Sequence, residues 1–329
     1  MKDSADIRKV NLYKIRQRLW SGAWKTKQQV AAETGLSVAT SNTLLNELAA
    51  SGEAVSEKTR IHDTGPGALR YRINEDFESI LCIWFDRCGD QDILTVKVLA
   101  TTGSLKHQEQ LFFTPLTPAI LQEEAQRQFE QFPNITSIMV GTPSIAENGI
   151  IRHCDIPELE NFEIVHVMSG QFGVPVCLEN DMHFKVFGYS QKHAEENNVV
   201  TLANFPIHIL PGTATVHGNT IIKGHNQFAG MVGFLPYEMG REELLDALQP
   251  DTCRDLVSKA VTSLIAIQNP GTIVLTGSLL DESSPAWLRE DCLRWIPEEY
   301  MPELIFKTDM DDDYLEGMYR KALELKGVF

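Results

Sequence analysis

The chain has 329 residues, 43% of them hydrophobic, and a formal net charge of −16. That length allows a sizeable buried core and predicts two or three domains. No apolar run approaches the ~20 residues of a membrane-crossing helix, and Met1-Lys2-Asp3-Ser4 leads into charged residues rather than a secretory segment. Six cysteines are scattered without a CxxC pair, as expected for reduced thiols in a cytoplasmic protein. The charge is uneven. Residues 1–75 carry 12 Lys and Arg against 8 Asp and Glu, and the remainder carries 17 against 37. A basic head on an acidic body can place the head on nucleic acid while the body stays off it.

Ile7, Val10, Leu12, Ile15, Leu19 and Trp20 fall close to helical spacing, with Arg and Lys between them. Lys25 to Thr34 predicts a second helix, ending at Gly35-Leu36-Ser37. Gly35 can adopt positive φ there, and Ser37 can cap the next helix. That helix, Val38 to Ser51, is expected to bury Leu44, Leu45 and Leu48 and to stop at Gly52. Two helices joined through Gly-Leu-Ser form a helix-turn-helix. Ala54-Val55-Ser56, a Gly65-Pro66-Gly67 turn and the alternation Leu69-Arg70-Tyr71-Arg72-Ile73 predict a two-stranded wing, with Arg70 and Arg72 on one face. The head, residues 1–77, therefore reads as a winged helix-turn-helix for a duplex DNA operator. Ser37, Val38, Thr40, Ser41, Asn42 and Thr43 are expected at base edges. The recognition helix has no Lys or Arg, so phosphate contacts fall to Lys25, Lys27, Lys58, Arg60, Arg70 and Arg72 or to helix N-termini. A winged helix used only for protein contacts is the alternative.

From residue 78 onward strand and helix alternate. Strands are expected at Ile80 to Phe85, Ile93 to Ala100, Glu109 to Phe113, Thr136 to Val140, Val174 to Leu178, Val199 to Ala203, Ile207 to Leu210 and Thr272 to Leu275. Helices are expected at Pro118 to Phe132, Glu163 to Met168, Leu244 to Gln268 and Tyr314 to Leu325. This pattern is an α/β body with its sheet covered on both faces, and ligands bind such sheets at the carboxyl ends of the strands. Glu179-Asn180-Asp181 stands at such an end.

Several motifs in order resemble the ROK family, which groups repressors, open reading frames and sugar kinases. They are Gly35-Leu36-Ser37 with Thr40, Asn46-Glu47-Leu48 and Gly52; Gly65-Pro66-Gly67-Ala68; Gly141-Thr142-Pro143-Ser144; Glu179-Asn180-Asp181; and Gly224-His225, Ala229-Gly230 and Gly233. The resemblance covers nearly the whole chain. It implies an actin-like, hexokinase-type ATPase fold for residues 78–329. One α/β lobe would be 78–185 plus the C-terminal helix, the other 186–315, with a cleft between them.

The departures from the family pattern define the expected function. The first phosphate loop, Asp-x-Gly-Gly-Thr in the kinases, reads Asp86-Arg-Cys-Gly-Asp-Gln91, with Asp90 and Asp92 adding negative charge. The second falls at Phe205-Pro-Ile-His-Ile-Leu-Pro-Gly212, where two prolines lack the N–H donor. The adenosine-side Gly-Gly is Gly277-Ser278. The Glu and His of the sugar pocket correspond to Met231 and Phe234, and the family's Asn to Glu158. The zinc loop is replaced by Tyr237 to Glu243 without Cys, so neither metal nor cofactor is expected. In a kinase of this family Asp181 would be the general base and Asn180 a hydroxyl partner. Without a phosphoryl donor, Asp181 is a vestigial base position, retained for ligand binding or as a helix cap. The expectation is a non-enzymatic, repressor-type regulator, a homodimer or tetramer. A small-molecule effector, sugar-like or modified, would contact Ser144, Glu158, Asn180, Asp181, Met231 and Phe234. The alternatives are a carbohydrate kinase, or a degenerate member acting through protein contacts only.

Overall fold

The computed structural model describes residues 4–59, 68–193 and 198–326. The head opens with α1 (Ser4–Leu19), a strand dipeptide β1 (Lys25–Thr26), α2 (Lys27–Thr34) and α3 (Val38–Ala50). Thr26 and Gln29 form a reciprocal capping box at the start of α2. Gly35 ends that helix at φ 69°, a left-handed conformation that a Cβ would penalise. The Ser37 hydroxyl accepts the Thr40 amide at 3.0 Å and starts α3. β2 (Ala54–Thr59) and β3 (Ala68–Ile73) form the wing, and β1 adds to β3 to make a three-stranded sheet. Leu12, Ile15, Leu19, Val30, Leu44, Leu45, Leu48, Tyr71 and Ile73 close one core beneath these elements. The Gly65-Pro66-Gly67 turn and Arg60 lie outside the described residues.

The first lobe contains β4 (Ser79–Cys88), β5 (Gln91–Ala100), β6 (Leu105–Phe113), α4 (Pro118–Gln131), β7 (Ile135–Thr142), the small hairpin β8 (Ile145–Glu147) and β9 (Ile150–Arg152), α5 (Ile164–Phe172) and β10 (Val176–Asn180). Its main sheet has the order β10-β7-β4-β5-β6. After α6 (Asp181–His193) the second lobe follows: β11 (Val199–Asn204), β12 (Gly212–His217), β13 (Thr220–Ile221), α7 (Arg241–Ala247), α8 (Arg254–Gln268), β14 (Thr272–Thr276), α9 (Ser284–Cys292) and β15 (Glu303–Phe306). Its sheet has the order β13-β12-β11-β14-β15. In each sheet the first strand pairs antiparallel with the second and parallel with a later one. The lobes thus repeat one topology, that of the expected two-lobed ATPase fold. α10 (Asp311–Leu325) closes the chain.

Helices α6 and α10 join the lobes. α6 gives Phe184 to the core of the first lobe, with Trp84, Met139, Tyr314 and Met318. It gives Val186, Phe187 and Tyr189 to the core of the second, with Leu202, Val216 and Val274. The lobe boundary expected between residues 185 and 186 therefore falls inside a helix that both lobes share. Where α6 crosses α10 the backbones touch. A Cβ on Gly188 would strike the Asp313 carbonyl, and one on Gly317 the Phe184 carbonyl. The Asp313 carboxylate, 1% exposed, is paired with Lys192 of α6 at 3.3 Å and with Lys307.

Three sequence expectations are corrected. Ile207–Leu210 is a loop rather than a strand, because Pro206 and Pro211 remove ladder donors and His208 turns the chain at φ 56°. The single helix expected over Leu244–Gln268 is two, α7 and α8, because Pro250 lacks the amide that would continue the ladder. The strand before the polar triplet runs to Asn180, so Glu179 and Asn180 are strand residues and Asp181 is the first residue of α6.

The contact between α6 and α10 yields a stability prediction. On helix propensity alone, Gly188→Ala would gain ~1 kcal/mol. The steric conflict with Asp313 should reverse the sign and destabilise by about 1–3 kcal/mol, read from urea unfolding midpoints. A more stable variant would show that the helices have room to separate.

Candidate functional site

A cleft of about 540 Å³ opens between the lobes. The first lobe and α6 supply Asp86, Asn180, Asp181 and Lys185, and the second lobe supplies Ile209, Leu210, Met231, Phe234 and Arg241. The two walls differ in chemistry: one holds carboxylates and a lysine, the other is largely apolar.

The polar wall is internally paired. Lys185 Nζ lies 2.6 Å from Asp181 Oδ2, one helical turn away. Burial works against the charge on Lys185, but Asp181, Asp86 and Asp311 outweigh it and raise its pKa. Asp86, near the end of β4, lines the cleft with its surface open to solvent; its pKa is raised to about 6, first by desolvation and then by the nearby Asp181, with Lys185 opposing. The Asn180 amide donates to the Ser144 carbonyl at 3.1 Å, and its Oδ1 accepts the Met182 amide at 3.0 Å. Asn180 thus fastens the Gly141–Ser144 loop to the start of α6.

Behind Asn180 stands a network that sequence reasoning missed. Glu179 is 4% exposed. It accepts from Lys223, and His183 Nδ1 lies 2.7 Å away. Burial pushes the Glu179 carboxyl up, but His183 and Lys223 more than offset it and hold the pKa below the ordinary value. Lys223 follows β13 in the second lobe, so this ion pair clasps the two lobes at the cleft, whose lining includes Glu179 and His183. The four-residue spacing of Glu179 and His183 across the junction of β10 and α6 was a visible signal; nothing local marks Lys223.

The expected effector contacts separate into groups. Asn180, Asp181, Met231 and Phe234 line the cleft. Phe234 is 54% exposed, lies 5.3 Å from the Phe228 ring and carries the Arg241 guanidinium over its face at 5.1 Å. Ser144 is buried and presents its carbonyl to Asn180. Glu158 sits exposed in a 3-10 turn outside the lining, where Asp155 and Ile156 stand instead. Glu158 is accordingly corrected: the turn points it to solvent.

The regions expected to hold phosphate are occupied by other contacts. Asp92 is fully buried rather than aimed at the cleft. It pairs with Arg87 at 2.9 Å and accepts the Leu116 amide at 2.8 Å. The Pro206–Pro211 loop presents Ile209, 62% exposed, and Leu210 to the cleft. The turn after β14 is engaged by that loop's own backbone: the Ile207 amide donates to Ser278 Oγ at 2.9 Å, and the Leu279 amide to the Phe205 carbonyl at 3.0 Å.

On the head, Ser37, Val38 and Thr43 are exposed on the first turns of α3, with Thr40 and Asn42 half-buried. Ser41 is corrected. It is fully buried on the stripe that carries Leu44, Leu45 and Leu48, so it cannot reach a base. Lys25 is paired with Glu33 at 2.7 Å. Arg70 and Arg72 share the face of the wing that covers Trp24, 5.2 and 4.9 Å from its ring. Arg70 is also bound by Glu57, its cross-strand neighbour at 2.6 Å, whereas Arg72 is exposed and has only the Trp24 ring among the described residues.

No protein-family model matches the chain, and no curated protein sequence does. Solved structures do. A ROK family transcriptional regulator, a homolog of the E. coli MLC protein, superposes with a TM-score of 0.71 over 98% of this chain and 99% of its own, at 14% identity. The chain has the ROK fold. A Streptococcus pneumoniae ROK family protein in complex with sucrose matches at TM-score 0.61 and 16% identity, over 76% of this chain and 100% of its own. A ROK hexokinase from Thermus thermophilus matches at 0.57 and 18%, over 76% of this chain and 99% of its own. The ROK fold accounts for both lobes and, in the regulator, for the head as well.

The raised pKa of Asp86 predicts a pH effect. Between its unfolded value near 4 and its folded value of about 6, the native chain holds a proton that the unfolded chain has released. Stability attributable to Asp86 therefore falls as pH rises through that window. Asp86→Asn should raise the melting temperature at pH 7 and much less at pH 4, and equal effects at both would contradict this environment for Asp86.

Proposed function

We propose that this chain is a DNA-binding transcriptional regulator of the ROK repressor type, whose kinase-like body senses a small-molecule effector and no longer transfers phosphate. The observation that carries the reading is the state of the cleft. Pro206, Ile209, Leu210 and Pro211 stand where a phosphate cradle needs backbone N–H groups and glycines. Asp86 adds a carboxylate on the opposite wall. A general base at Asp181 has no phosphoryl donor to serve, and its carboxylate is held by Lys185. The match to the regulator along 98% of the chain, head included, supports the same reading.

In this reading the head docks α3 in the major groove, with Ser37, Val38, Thr40, Asn42 and Thr43 toward the bases and the wing arginines on phosphates. The protein acts in the cytoplasm as a homodimer or tetramer. The effector is less polar than a free hexose. Met231 and Phe234 offer no hydrogen bonds to ring hydroxyls, and each hydroxyl buried unpaired costs ~1–3 kcal/mol. Its polar edge meets Asp181 and its apolar face Phe234 and Leu210. Kinases of the same fold keep the enzymatic reading in play; it requires magnesium-ATP to bind.

Selection of genomic fragments by the purified full-length protein tests the proposal. Specific duplex fragments should be recovered, and Asn42→Ala or Thr43→Ala should change which ones. Arg72→Ala should reduce the slope of log K against log salt by ~0.9, and Arg70→Ala by less, because Glu57 already neutralises Arg70. Magnesium-ATP should give no thermal shift. Recovery of no fragment, together with micromolar ATP binding, would overturn the regulator in favour of the kinase.

A further inference from the structure

We propose that α10 is the relay that carries the state of the cleft to the head, with Tyr314 as its input and the Tyr319–Trp20 contact as its output. The proposal rests on the regulatory reading above for its purpose, and its structural test stands apart from that reading.

The input end lies beneath the ion pair in the cleft. Lys185 Nζ is held by Asp181 and sits 5.1 Å from the Tyr314 ring centroid. The Tyr314 ring is 5.0 Å from that of Trp84. Its hydroxyl is buried beneath Gly141, the first residue of the loop that Asn180 fastens, and finds no hydrogen-bond partner among the described residues. A Cβ at residue 141 would collide with that hydroxyl. Tyr314 therefore touches all three parts of the polar wall: the ion pair, the loop and β4. An effector that takes the Asp181 carboxylate competes with Lys185, and a displaced Lys185 must move relative to the ring beneath it.

The middle of the relay cannot absorb that displacement. Gly317 of α10 lies against the Phe184 carbonyl and Gly188 of α6 against the Asp313 carbonyl, with no side chain between the backbones. Lys192 and Lys307 pin Asp313 at the same crossing. Packed interfaces of this kind shift as units rather than deform. Tyr319 follows Tyr314 by five residues, a rise of about 7.5 Å along the helix.

The output end touches the head directly. The Tyr319 hydroxyl accepts from the Trp20 indole N–H and donates to the Thr101 carbonyl at 2.9 Å. Trp20 directly follows Leu19, the last residue of α1, which is fully buried in the head core. Gly103 leaves the space that the Tyr319 ring fills; a Cβ there would sit 2.9 Å from it. Thr101 is itself tied to the end of the head: its amide donates to the Glu75 carbonyl at 3.2 Å, and its hydroxyl accepts the Glu78 amide at 3.0 Å. One hydroxyl in the middle of α10 thus bridges the body to Trp20 at the end of α1 and, through Thr101, to the Glu75–Glu78 segment that joins head and body.

The test uses full-length protein labelled with 5-fluorotryptophan. The five tryptophans give five fluorine resonances, assigned by single Trp→Phe variants. Lys185→Met, which breaks the cleft ion pair, should shift both Trp84 and Trp20 and leave Trp287 and Trp295 in place. Asp181→Asn breaks the same pair from the other side and should do the same, should the first variant fold poorly. Adding Tyr319→Phe should preserve the Trp84 response and abolish the Trp20 response. The relay is overturned if Trp20 stays still while Trp84 shifts, if neither moves, or if the Trp20 response survives Tyr319→Phe. Duplex DNA binding by the same samples is scored separately. Loss of DNA binding with the Trp20 response intact sinks the regulatory reading alone, and DNA binding without that response sinks the relay alone.

Discussion

The structure depends on one close contact: two helices, α6 and α10, crossing through glycines so that backbone meets backbone. A glycine in a helix interior costs ~1 kcal/mol relative to alanine, and here two are used at one crossing. What the cost secures is position. α6 begins at Asp181 in the cleft and feeds side chains into the cores of both lobes. α10 lies across it, touches the head through Tyr319 and ends at Glu78, where the head joins the body. A wider crossing would detach the cleft from the elements that surround it.

Much of the architecture was legible because it follows from local rules. Gly35 and Ser37 punctuate the helix-turn-helix, and the spacing of Leu44, Leu45 and Leu48 sets the buried side of α3. That same spacing places Ser41 on the buried side of α3, so its correction was available from periodicity. The break at Pro250 was equally available, since proline has no amide to continue a helix. The strand misplaced at Ile207–Leu210 was an apolar segment read as buried, although prolines bracket it and Ile209 faces solvent.

What was not legible is what joins distant parts of the chain. Lys223 reaches Glu179 across 44 positions, and Trp20 reaches Tyr319 across 299. Gly188 and Gly317 look like weak points in amphipathic helices until their partner backbone is seen. In the cleft, the sequence showed which groups were missing; the structure shows what took their place. Arg87 closes on Asp92 and Lys185 on Asp181, while the loop before β12 engages the turn after β14. Acidic groups that would repel a nucleotide are mostly satisfied by internal cations, so the cleft is not simply an acidic void. At Asp86, desolvation and the Asp181 charge raise the pKa against the opposing pull of Lys185.

α6 and α10 form one mechanical unit that holds the lobes and the head contact in register. Native-state hydrogen exchange measures it directly. The amides of residues 184–192 and 313–323 should open together, with one protection free energy and one denaturant dependence. Exchange of α10 as a separate unit, at markedly lower protection than α6, would contradict the account.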